Sequence, residues 1–210
     1  KNHDIVLLIQ DTTTLNYSSH SCVEGLGIIS SYAECTGLLL HTTLAVSTQG
    51  VPLGIMDQKY WTRDIEDKGK KHKRKKLKTE EKESYRWIEA LERSTEGISD
   101  NILTVTVADR EADIYDLFNR SIELKRDMLI RAVGSRHIAS EEKVLLQRME
   151  ACASAGHISV TLPRNAKDKK AERTAKLDIK YCEVEILPPA YRAKEKELST
   201  LVLHAIYAKE

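Results

Sequence analysis

Two short runs of apolar and β-branched residues, IVLLIQ at residues 5–10 and ILTVTVA at residues 102–108, each break off at an aspartate, Asp11 and Asp109. Runs of about four to eight such residues read as strands buried on both faces, the kind found inside a sheet covered by helices. A carboxylate at the end of such a strand is held by rigid backbone and opens onto solvent. That arrangement suits Mg²⁺ or Mn²⁺, which prefer hard oxygen ligands and keep waters and substrate phosphates in their remaining positions. Asp11 and Asp109 are therefore the candidate metal ligands, and metal-assisted phosphoryl chemistry is the first function class to expect.

The 210 residues exceed the usual single-domain length, so one large domain, or one domain with an insertion, is expected. Hydrophobic residues make up 41%, enough for a core, and the 31% that are charged nearly cancel to a net +1, so overall charge makes no case for nucleic acid. Their distribution does. In KGKKHKRKKLK, residues 68–78, eight of eleven positions are Lys or Arg, among them Lys70, Lys71, Lys73, Arg74, Lys75 and Lys76. A second basic stretch holds Arg164, Lys167, Lys169, Lys170, Arg173 and Lys176. Each reads either as a phosphate-contacting segment or as a solvated flexible loop.

The four cysteines, Cys22, Cys35, Cys152 and Cys182, show no C-x-x-C spacing, so free thiols in a reducing compartment are expected rather than a zinc site or a disulfide framework. The sequence opens on no signal peptide and contains no membrane-length apolar run, so a soluble cytoplasmic protein is expected. Both ends look cut, as if this were a piece of something longer.

Along the chain, strand one (residues 5–10) is followed by a polar loop with Gly25 and Gly27, which lacks the pattern of a phosphate loop. LLLHTTLAVS and VPLGIMDQKYW, joined through Thr48, Gln49 and Gly50, read as a β-hairpin. Residues 79–94 have Tyr85, Trp87, Ile88 and Leu91 near helical spacing, which predicts an amphipathic helix. Strand four at 102–108, a helix at about 110–123 and strand five at 128–133 complete the order β-β-β-α-β-α-β, a mixed sheet with flanking helices. Beyond Gly134, a helix near 141–153 precedes three longer, alternating strands, HISVTLPR, KLDIKYCEVEILP and LSTLVLHAIYA. The expected division is an α/β unit at residues 1–134 and a β-rich module at 135–210. His41, inside a strand run, is expected to be a hydrogen-bonded core or face residue, and Asp113 a cap or ion-pair residue rather than a third acid of the site.

Several stretches together give a resemblance: IQDTT, GLGIISSY leading to LLLHTTLAV, PLGIMDQKYWTR, ESYRWIEALER, VADREADIYDLF, LIRA and AIYAKE. In this order and spacing the chain resembles the DDE-type transposases of bacterial insertion sequences, in the cut-and-paste branch whose core is ribonuclease-H-like with a β insertion. The resemblance implies that Asp11 and Asp109 are the first two of three catalytic carboxylates, and that the third, a glutamate on a helix with a Y-R-E-K pattern, lies beyond Glu210. It implies two Mg²⁺ or Mn²⁺ ions roughly 3.5–4 Å apart serving in-line displacement at phosphorus, Asp11 shared by both. Arg110, Arg131 and the lysine run become candidate contacts to the phosphates of transposon-end duplex. Target DNA as second substrate, a homodimer in the synaptic complex and a bacterial, nucleoid-associated location follow from the same resemblance. A haloacid-dehalogenase-type phosphatase would need an aspartate where Thr13 stands. Without the third carboxylate this fragment alone is expected to have little or no strand-cleaving activity, and a catalytically inactive DNA-binding remnant is the alternative from another class.

Lysine is a hydrated point charge on a flexible stem, suited to backbone phosphates rather than base edges. Replacing Lys70, Lys71, Lys73, Arg74, Lys75 and Lys76 with Ser is expected to weaken binding to any duplex. The dependence of log K on log salt should flatten by up to about 0.9 per lost phosphate contact. An unchanged salt slope would mark the run as a solvated loop.

Overall fold

The computed structural model describes residues 4–20, 22–30, 35–63, 77–99, 101–165, 167, 170–192 and 198–210. Contacts divide the chain into two compact units, Lys1–Ala132 and Val133–Glu210. The first unit is α/β, with strands β1 (Ile5–Asn16), β2 (Gly27–Ile28), β3 (Thr36–Ser47), β4 (Pro52–Trp61), β5 (Leu103–Ala108) and β6 (Asp127–Ile130), and helices α1 (Arg86–Thr95) and α2 (Tyr115–Leu124).

These strands make one mixed sheet. β1 pairs antiparallel with β3 along its whole length, from Val6↔Ser47 to Asn16↔Gly37, and parallel with β5 from Ile5↔Leu103 to Ile9↔Val107. β6 continues the parallel side, while β4 and the short β2 lie on the far edge of β3. The β3–β4 hairpin turns as the sequence predicts, with Gly50 at φ +80° donating its N–H to the Ser47 carbonyl at 2.9 Å.

Four element bounds expected in this unit need correction, the simplest being strand five, expected at 128–133, whose strand β6 ends at Ile130. Strand one does not stop at Gln10: β1 runs on to Asn16, because Thr12, Thr13 and Thr14 are β-branched and β3 supplies partners down to Gly37. The first helix starts at Arg86 rather than near residue 79. Extended Lys82 (φ −82°, ψ 142°) splits the preceding stretch into 3₁₀ turns at Thr79–Glu81 and Glu83–Tyr85. The second helix starts at Tyr115: residues Arg110–Ala112 form a separate 3₁₀ turn, and extended Ile114 lends its carbonyl to the N–H groups of Leu117 and Phe118.

The two sheet faces differ in a way the apolar runs conceal. α1 and α2 share one face, where Trp87, Ile88, Leu91, Ala108, Ala112 and Leu117 form a buried cluster. Toward β1 and β3 that covered face turns polar, with Gln10, His41, Thr43, Thr104 and Thr106 buried. The opposite face carries Ile9, Leu103, Leu129 and Ile55, each more than one third exposed. So the runs are not buried on both faces as expected, since among the described residues of this unit both α-helices pack on the same side.

The second unit has α3 (Leu145–Ala151) against a three-stranded antiparallel sheet of β7 (Gly156–Leu162), β8 (Arg173–Ile186) and β9 (Leu201–Lys209), in the order β7-β8-β9. α3 is shorter than expected because Lys143 adopts a left-handed conformation, φ 58°, just before it. Ile138, Leu145, Met149, Ala175, Val184, Ile186 and Leu201 are the buried apolar residues of this unit among those described. Among the described residues, no helix of the chain is long and apolar enough to cross a membrane. The four cysteines are free thiols.

Gly37 sits where β1, β2 and β3 meet, and a Cβ there would lie 2.0 Å from the Leu15 carbonyl oxygen, with backbone that cannot swing aside. Gly25, at φ +76° with open space around it, would meet only conformational strain. Gly37→Ala is therefore expected to cost more than about 2 kcal/mol, and Gly25→Ala about 1 kcal/mol, in urea unfolding. Equal losses would contradict the packing at this junction.

Candidate active site

Asp11 and Asp109 are brought together by register. The last β1–β5 pair is Ile9↔Val107; two residues further along each strand stand the two aspartates, on strands about 4.8 Å apart. By alternation Asp11 follows Ile9 onto the open face, whereas Asp109 stands one residue past the end of β5, where its charge acts on Arg86; both are exposed. β5 then leaves the sheet. Asp109 caps the 3₁₀ turn, its Oδ1 accepting the Glu111 N–H at 2.8 Å, while Asp11 Oδ1 accepts the Thr12 N–H at 2.8 Å. Asp11 is thus mid-strand on its β3 side but lies beyond the last paired residue on its β5 side.

The arginines fall differently. Arg131 follows β6 directly, and its N–H donates to the Ala108 carbonyl at 3.1 Å, so its backbone lies beside the end of β5. Arg110 is the residue after Asp109; both arginines are exposed. Lys70, Lys71, Lys73, Arg74, Lys75 and Lys76 lie outside the described residues. Of the second basic stretch, Arg164, Lys167 and Lys170 lie in the β7–β8 connection, while Arg173 and Lys176 belong to β8, where Arg173 forms an ion pair with Glu210. Asp113, half-buried, closes the 3₁₀ turn through its N–H to the Arg110 carbonyl.

Behind the aspartates, on the covered face, lies a polar network that the sequence does not announce. Arg86, the first residue of α1, is 9% exposed. Its Nε donates to Thr12 Oγ1 at 2.9 Å, Nη1 to the Glu83 carbonyl at 3.0 Å and Nη2 to Glu111 Oε2 at 2.9 Å. The guanidinium lies over the rings of Trp61 and Trp87, at 5.7 and 5.2 Å. Burial pulls its pKa below the ordinary arginine value, against which Glu83 and Glu111 act. Glu83 also takes two hydrogen bonds from Arg63, at 2.9 and 2.6 Å, and these raise the Arg63 pKa. The signal for Arg86 was its spacing: Arg86, Ala90 and Ser94 recur every fourth residue, and the latter two are small and fully covered, which marks the stripe closest to the sheet.

His41 completes the network, as the hydrogen-bonded core residue expected. Arg86 donates to Thr12 Oγ1, so the Thr12 hydroxyl proton is free to go to His41 Nδ1, 2.8 Å away, and Nε2–H faces Gln10 Oε1 at 3.4 Å. This donor order fits only neutral imidazole. Burial first, then the charges of Arg86 and Lys59, bring the His41 pKa from 6.5 down to about 4.

As a ligand set, two exposed carboxylates on adjacent strands are hard oxygen donors, which fit Mg²⁺ or Mn²⁺ with waters and phosphate oxygens filling the remaining positions. Among the described residues no cluster of three His, Cys, Asp or Glu side chains is placed to hold a metal ion. Compared with known proteins, the chain matches no family model and no curated protein.

Because His41 takes up a proton more readily unfolded than folded, stability should fall as pH drops from 6.5 toward about 4 and level off below. The linkage amounts to on the order of 3 kcal/mol. Urea unfolding between pH 7.5 and 4 is expected to show this loss in the wild type and a much smaller one in His41→Gln; parallel curves would place the proton elsewhere.

Proposed function

We propose that this chain is the core of a DDE-type transposase, acting by metal-dependent phosphoryl transfer on transposon-end and target DNA. The observation that carries the proposal is that Asp11 and Asp109 each stand two positions past Ile9↔Val107, the last pair of the adjacent parallel strands β1 and β5, and that both are exposed. The sheet supports it: apart from the two-residue β2, three strands (β1, β3 and β4) joined antiparallel and followed by two added in parallel on the other edge of β1 is the order expected of a ribonuclease-H-like fold. The β-rich second unit stands where that branch carries its insertion.

In this reading Asp11 and Asp109 hold Mg²⁺ or Mn²⁺ in a two-ion site. When bound, the ions supply an activated attacking oxygen and charge neutralisation at phosphorus. The chain's own part is positional. Both carboxylates are anchored through Oδ1 to neighbouring backbone N–H groups, which limits their rotation. Exposed Arg110 and Arg131, at the ends of β5 and β6, match phosphate oxygens with paired donors and orient the duplex. The lysine run adds contacts independent of sequence. A homodimer of the complete protein would pair two DNA ends in the bacterial nucleoid.

One observation favours the second reading, a non-catalytic DNA-binding remnant: among the described residues no third acid joins the two aspartates. Two carboxylates leave developing charge at phosphorus poorly compensated. Incubation with supercoiled plasmid in Mn²⁺ separates the readings. A transposase core should nick slowly, and at least 100-fold more slowly after Asp11→Asn or Asp109→Asn. Duplex binding with no nicking selects the remnant. Neither binding nor nicking, or nicking indifferent to both aspartates, overturns the proposal.

A further inference from the structure

Both candidate ligands have their nearest neighbours tied to one buried side chain. Thr12, the residue after Asp11, accepts from Arg86 Nε, and Glu111, whose N–H is held by Asp109, accepts from Arg86 Nη2, each at 2.9 Å. β1 and β5 share no ladder pair beyond Ile9↔Val107, so past that point the two strand ends are joined across the covered face by this guanidinium.

We propose that Arg86 is a positioning residue that sets the spacing of Asp11 and Asp109 through Thr12 and Glu111. The inference rests on the metal-site reading given above. A planar guanidinium can donate in two directions at fixed angles, which a lysine ammonium cannot reproduce. Its stacking against Trp61 and Trp87 and its third bond to the Glu83 carbonyl fix the plane, so the two outward bonds act as a spacer of set length. The hydrogen bonds of Arg86 go to Thr12, Glu83 and Glu111 and not to the aspartates, so its role is indirect: partners one step removed from metal ligands orient those ligands and tune affinity by about 10–100-fold.

Charge makes the proposal decidable. A cation near two carboxylates opposes divalent binding, so if Arg86 acted only as a charge, its removal would tighten Mn²⁺ binding; if it positions the ligands, removal weakens it. The experiment is titration of the chain with Mn²⁺, free ion read by electron paramagnetic resonance, with the urea midpoint of each variant measured alongside. Wild-type binding should be lost in Asp11→Asn and Asp109→Asn. Arg86→Lys, which keeps the charge, and Arg86→Met, which removes it, should both bind about tenfold more weakly while folded. Thr12→Val cuts one arm of the spacer without changing charge and should weaken binding in the same direction; it decides the matter if the Arg86 variants do not fold. Folded Arg86 variants, or a folded Thr12→Val, that bind Mn²⁺ as tightly as wild type or more tightly overturn the positioning role and leave the metal site standing. Binding unaffected by Asp11→Asn and Asp109→Asn overturns the metal-site reading itself, and the inference with it.

Discussion

A cation buried at the first residue of α1 carries an unusual share of this structure's order. Removing a charged group from water costs several kcal/mol unless hydrogen bonds and counter-charges replace the solvent. Arg86 meets that demand with a threonine hydroxyl, a main-chain carbonyl, a carboxylate and two indole faces, drawn from β1, the turn before α1, the turn after β5, β4 and α1 itself. Each of those elements is thereby held to the others at one point. The aspartates stay outside this set of hydrogen bonds: both are exposed, Asp11 on the opposite face and Asp109 at the turn after β5, where its charge acts on Arg86.

The network also explains why the covered face is polar where a core would ordinarily be aliphatic. Thr12 can accept from Arg86 and donate to His41 only while the imidazole is neutral. Burial against Trp87, 4.5 Å away edge to face, makes the neutral form the favoured one. Gln10, His41 and Thr12 thus form one donor sequence running from β1 into β3 and back, and the Arg86 guanidinium closes it. Rotation at Thr12 or His41 would break a buried hydrogen bond, which restrains both, whereas Gln10 takes part through its Oε1 alone and its buried Nε2 has no partner.

Much of this arrangement could be read from the sequence, and the parts that could not share a cause. Strand positions, the β3–β4 turn at Gly50 and the two strand-end aspartates came from local signals, apolar runs, a glycine and a polar break, while the meeting of the aspartates followed from the resemblance alone. The continuation of β1 through three threonines depended on a partner strand distant in sequence, and the interruption of the second helix at Ile114 depended on that side chain being drawn into the cluster around Trp87 and Leu117. Arg86 was overlooked because a charged residue at a helix start reads as solvent-facing; only the four-residue spacing to Ala90 and Ser94 hints otherwise. Polar residues buried by tertiary contact leave little trace in hydrophobic periodicity. The open apolar face was hidden for the converse reason, since an unbroken apolar run looks the same whether one or both of its faces are covered.

Asp11 faces away from the helices because it stands an even step, two positions, past Ile9, the last residue of β1 paired with β5. Shortening or lengthening β1 by one residue upstream of Asp11 would rotate that carboxylate to the helix-covered side, into the company of Gln10 and Thr106, while moving its backbone by only one strand step. A change of two residues would restore the face and shift only the height. The site therefore has a parity on this strand: its tolerance of insertions and deletions in β1 should alternate between odd and even lengths, a constraint on how the sequence can drift that no single side chain would reveal.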